Sequence, residues 1–65
     1  MKTIEKKVSD LVVGDVIVWN FGELTTVIGF SFKTAKTVVV EQVDKHGNPW
    51  NKKQSLHTVR VVKCI

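Results

Sequence analysis

The sequence predicts an all-β fold: about five short antiparallel strands curled into one small barrel, with a short irregular or one-turn lead-in at the N-terminus. β-Branched residues dominate the segments 16–18, 25–28 and 38–40 and recur at Val59, Val61 and Val62, with Gly, Asn, Asp and Lys between them. That is the punctuation of strands and turns. No window repeats apolar residues at helical spacing over three turns. At 65 residues the chain is too short for the two packed sheets of a sandwich, so one strongly bent sheet around a shared core is the architecture that remains.

The elements follow in order. Val8, Ser9, Asp10 and Leu11 include capping residue types but no periodic run after them, which supports one helical turn that tucks Leu11 under the sheet. Val12, Val13, Gly14 and Asp15 fit a type II turn, in which Gly14 supplies the positive φ of the third position. The Asp15 carboxylate is expected to accept backbone N–H groups there and to carry no chemistry. The first strand covers 15–19 and is followed by a turn at Asn20, Phe21, Gly22 and Glu23. The second strand covers 24–32, and unbroken alternation would place Leu24, Thr26, Ile28, Phe30 and Phe32 on one face. Gly29 inside that strand marks a bulge or bend that would exchange the faces beyond it, leaving the direction of Phe30 and Phe32 open.

Residues 33–36 make the next connection, and the third strand, 37–43, alternates with Val38 and Val40 toward the core. Residues 44–48 form a polar turn closed by Gly47, and 49–54 is a polar strand whose Pro49 suits an edge. The last strand, 56–63, sets Val59 and Val61 against Thr58, Arg60 and Val62. With no linker, repeat or low-complexity segment, residues 1–65 read as a single domain.

Composition agrees with a folded soluble protein: 43% hydrophobic, 25% charged and one proline, too apolar for a disordered segment. The ten Lys and Arg outnumber the six Asp and Glu, for a net charge of +4, which draws a small domain toward polyanions. The single cysteine, Cys64, cannot form an internal disulfide and reads as a small apolar residue in a reducing compartment, the cytoplasm. The first seven residues are too charged for a signal peptide, and no apolar run reaches membrane-spanning length, so no membrane partner is expected.

Residues 11–18, Leu-Val-Val-Gly-Asp-Val-Ile-Val, together with Gly22, Val27 and the run from Lys36 to Val40, resemble the layout of small SH3-like barrels. The resemblance covers most of the chain and extends to KOW-type barrels and to short stand-alone phage-encoded barrels. It departs from the KOW pattern after the first strand, where Asn20, Phe21, Gly22 and Glu23 replace a second glycine-and-valine step. The resemblance implies a five-stranded SH3-like barrel and frequent nucleic-acid or peptide binding, and fold alone does not decide between them.

The candidate nucleic-acid surface is Lys33, Lys36, Lys52 and Lys53 with Trp50, and Lys45 and Arg60 as further neighbours. The lysines would neutralise phosphates and Trp50 would stack on a base, giving low sequence specificity and steep salt dependence. The plainer reading is lysines that solvate the surface and guard an edge strand, with Trp50 packed in the core. The alternative is a protein-interaction module, a phage-type host-factor binder or a self-associating barrel, whose anchors are Trp19, Phe21 and Phe32. In a core this small, Trp19 also has a purely packing role, with Phe21 capping the barrel mouth.

His46, His57 and Cys64 are the only soft metal ligands, and none has the spacing of a zinc half-site. His57 beside Ser55 makes no catalytic pair, because nothing orients it and no oxyanion donors are evident. The expectation is a non-enzymatic binding module with no cofactor, whose partner is DNA or RNA, or alternatively a protein, with homo-oligomerisation open.

Overall fold

The computed structural model describes residues 2–63. They form β1 (Thr3–Lys7), a 3-10 turn (Val8–Asp10), β2 (Val16–Val18), β3 (Leu24–Ser31), β4 (Thr37–Asp44), β5 (Pro49–Ser55) and β6 (Val59–Lys63). All six strands belong to one antiparallel sheet of order β1-β6-β2-β3-β4-β5. Cys64 lies outside the described residues.

The all-β expectation holds, while the closed five-stranded barrel does not. The sheet has six strands, and its edges β1 and β5 are not hydrogen-bonded to each other. The extra strand is β1, where Glu5, Lys6 and Lys7 break any apolar alternation. Its backbone bonds to β6, in register from Thr3 opposite Lys63 to Lys7 opposite Val59, hold it in place. A charged strand of this kind is suited to an edge, where lysines oppose pairing with foreign chains.

The open sheet is nevertheless strongly coiled. Four ladder steps separate β6 from β5, which on a flat sheet would be about 19 Å. Yet Arg60 Nε of β6 donates to Gln54 Oε1 of β5 at 2.7 Å. One end of the coil is knitted by the 3-10 turn: Val8 N–H donates to Thr58 O at 2.8 Å, Ser9 N–H to Leu56 O at 3.2 Å, and Leu56 N–H to Lys36 O at 2.9 Å. Backbone bonds from the lead-in thus do the work that a β1–β5 ladder does in a closed barrel.

Inside the coil lie Val8, Leu11, Ile17, Val27, Val38, Val40 and Val62, with Trp19 and Leu56 packed against them. Leu11 occupies the core, as expected of the lead-in, and Val38 and Val40 occupy it as the alternation predicts. On β3 the register shifts between Val27 and Gly29, so Thr25 and Val27 are buried before the bulge and Ile28 is exposed at it. Beyond it Phe30 pairs with Val40 and shares its side, and Phe32 stands outside the strand. The five even-numbered residues therefore do not share one face.

Gly14 has φ +101° and Asp15 N–H donates to Val12 O at 3.1 Å, closing the predicted turn. Asp15 Oδ2 accepts the Val12 N–H at 3.0 Å and also meets Lys6 Nζ at 3.1 Å, which ties β1 to that turn.

Candidate functional site

Directly opposed residues of antiparallel strands share a face. Trp50 opposes Gln42, Lys52 opposes Val40 and Gln54 opposes Val38, so these three belong to the inner side of the coil; Lys53 opposes Val39 on the outer side. Coiling then brings the inner side of β5 against the end of β2 and against β6. Trp19, immediately after β2, meets Trp50 at a centroid distance of 5.9 Å with ring planes at 45°. Phe21, in the turn that follows, stacks on Trp50 at 6.1 Å and 27°. Lys52 Nζ lies 5.2 Å from the Trp19 ring and 5.9 Å from the Trp50 ring, and the Arg60 guanidinium lies 4.8 Å from Trp19.

The rim of the coil therefore carries three aromatic rings and two cations in one cluster. Both tryptophans are half-buried, whereas Phe21 is 67% exposed and Lys52 is exposed. Each cation gains from the ring quadrupole while keeping access to water.

A buried polar chain supports the cluster. Trp19 Nε1–H donates to Thr25 Oγ1 at 2.8 Å, and the Thr25 hydroxyl donates to Gln42 Oε1 at 2.5 Å. Gln42 Nε2 donates to Val40 O at 3.4 Å. Thr25 and Gln42 are fully buried, so these bonds fix the orientation of the Trp19 indole from beneath. Gln54 holds Arg60 in the same manner from β5.

The turn before β5 sets the direction of Trp50. Asp44 Oδ1 accepts the backbone N–H groups of His46 and Asn48, both at 2.9 Å, and Gly47 with φ +81° closes the loop by donating to Asp44 O at 3.0 Å. The Asn48 N–H bond foremost, and then the bond from His46, hold the Asp44 carboxyl below its ordinary value of 3.8 against the opposing effect of desolvation.

The candidate residues do not form the two groups expected from the sequence. Trp50 and Lys52 join Trp19 and Phe21, so members of the two rival surfaces meet in a single cluster. Lys53 faces away from it, because neighbouring strand residues point to opposite faces. Lys33 and Lys36 lie in the β3–β4 connection, at the end of the sheet where Thr37 opposes Ser55. That row is five residues, about 17 Å, along the strand from Trp50. Phe32 is at that far end too, 83% exposed and apart from Trp19 and Phe21. The expected single basic surface is thus divided between two ends and two faces.

Arg60, Thr25, Gln42 and Gln54 complete the cluster. Arg60 was already a named neighbour of the basic surface; for the others the signal was alternation, with Gln42 following Val38 and Val40 on β4, and Arg60 likewise preceding Val62 on β6, each two residues from a core position.

Among the described residues no group of three or more His, Cys, Asp or Glu is placed to hold a metal ion, and no helix is long and apolar enough to cross a membrane. No known protein family, curated protein or solved structure matches the chain.

Proposed function

We propose that this chain is a small non-enzymatic module that binds single-stranded nucleic acid with low sequence specificity. The observation that carries this reading is the Phe21–Trp50 stack at the rim of the coil, with Lys52 over Trp50 and Arg60 over the adjoining Trp19 ring. A base stacked on the exposed side of these rings would bring its phosphate within reach of the two cations, the pairing of platform and charge that single strands require. A duplex keeps its bases stacked inside and would meet the charges alone. The resemblance to small SH3-like barrels, KOW-type and phage-encoded ones included, belongs to the same reading, as does a reducing, cytoplasmic setting. Lys33, Lys36 and Lys53 contribute only to the general positive field.

The second reading, a docking surface for a protein, draws on one observation: Phe21 is 67% exposed in a ring cluster of the sort that anchors interfaces.

Titration of labelled oligothymidine, oligouridine and a duplex of equal length, followed by tryptophan emission, separates these readings. The expected result is quenching by the single strands with weaker duplex binding, and a slope of log affinity against log salt of about −1.4 for two phosphates. Trp50→Ala should weaken binding by roughly 5- to 150-fold, the range of one lost base stack. Lys52→Glu should weaken it far more than Lys53→Glu. Absence of binding at low salt, or equal effects of the two lysine variants, removes this site as a nucleic-acid interface; the first of these outcomes leaves the protein-docking reading.

A further inference from the structure

The opposite end of the coil holds a second surface. A pocket of about 240 Å³ opens between the 3-10 turn and the β3–β4 connection, lined by Val8, Leu11, Phe30, Val38, Leu56 and Lys33. Its walls are apolar except for Ser9 and Lys33, and a cavity of roughly 150 Å³ already accepts a benzene ring. Phe32, between two residues that line the pocket, does not fill it. Its backbone has φ +48° and its ring is 83% exposed. Bulky residues avoid this left-handed region, so an aromatic ring held in solvent by an unfavourable backbone is a feature that tertiary packing within one chain leaves unexplained.

We propose that two copies of this chain pair about a two-fold axis, each inserting Phe32 into the pocket of the other. Phe32 immediately precedes Lys33, which lines the pocket, so an exposed ring and an apolar pocket belong to the same connection, as an isologous interface requires of a patch that must complement itself. The charges are arranged likewise. Asp10 follows the pocket residue Ser9 on one side, and Lys33 lines the other. Asp10 is exposed in the 3-10 turn that walls one side of the pocket and Lys33 belongs to the connection that walls the other, so in the proposed pair Asp10 of each copy would face Lys33 of its partner and offset part of the repulsion between two chains of net charge +4. The paired ends lie about 17 Å along the sheet from Trp50, so pairing leaves the aromatic rim open and is independent of the nucleic-acid reading.

Sedimentation equilibrium between roughly 10 µM and roughly 1 mM spans the range in which small interfaces dissociate. The wild-type mass should rise from one chain to two and stop there. Phe32→Asn, which keeps a residue tolerant of positive φ, should remain monomeric over the whole range with an unchanged far-ultraviolet circular dichroism spectrum. Asp10→Lys and Lys33→Asp should each weaken pairing, and the two together should restore it. Restoration by the charge swap is an outcome that damage to the fold cannot imitate. A wild-type chain that stays monomeric, a mass that grows past two chains, a Phe32→Asn dimer as tight as wild type, or a charge swap that restores nothing would each overturn the proposal.

Discussion

The Thr25 hydroxyl accepts the Trp19 indole N–H and donates to the Gln42 amide oxygen, so one oxygen atom couples the rim cluster to the buried face of β4. Replacing it by a methyl group keeps the volume and removes both bonds. Thr25→Val leaves the Gln42 oxygen in a fully buried site without that donor, and should cost about 1–3 kcal/mol in urea unfolding. Adding Gln42→Leu removes the stranded amide, so the double variant should be less destabilised than the sum of the two single changes. A strictly additive double would show that the three side chains act separately. Phe32 illustrates the converse case: its left-handed backbone costs about 1–2 kcal/mol, and its exposed ring returns little packing within one chain.

Among the elements, the turn between β4 and β5 shows how a local charge positions a functional side chain. Asp44 caps residues 46 and 48 through their N–H groups, and its folded pKa is lowered below 3.8. A lowered carboxylate pKa means stability that is fully present above the unfolded value and lost as pH falls through the folded value. Asp44→Asn should therefore have a lower urea midpoint than wild type at neutral pH, and the two midpoints should converge as the pH falls below the ordinary carboxylate value of 3.8. A gap that stays constant through that fall would mean that the ionised carboxylate does not hold the turn. This turn was legible in the sequence, as were the Gly14 turn, the β3 bulge at Gly29 and the inward Val38 and Val40, because each rests on spacing within a few residues. β1 was not legible, since Glu5, Lys6 and Lys7 carry no apolar period and the strand exists only by bonding to β6, more than fifty positions away. The rim cluster was half legible for the same reason. Trp50 and Lys52 stand out locally, but their meeting with Trp19, Phe21 and Arg60 depends on how tightly the sheet coils, which no local pattern encodes.

At the scale of the whole molecule, the coil turns on β2. This strand of three residues is the hydrogen-bonded link between β1 and β6 on one side and β3, β4 and β5 on the other. Ile17, at its centre, is fully buried and is paired with Thr25 on β3 and Val62 on β6. For a chain of 65 residues the total stability is about 3–10 kcal/mol. Ile17→Val should cost about 0.5–1.5 kcal/mol and leave a cooperative transition at a lower midpoint, whereas Ile17→Ala should cost about 2–5 kcal/mol, a large share of the total. Since Arg60 comes from one side of β2, and Trp50 and Lys52 from the other, uncoiling disperses the rim cluster as the core opens. Near-ultraviolet circular dichroism of Trp19 and Trp50 should thus collapse in Ile17→Ala together with the cooperative urea transition, and single-strand affinity should fall with them. An Ile17→Ala chain that unfolds at the wild-type midpoint with its tryptophan signal intact would show that the two halves of the sheet are held together elsewhere, through the 3-10 turn and its bonds to residues 56 and 58.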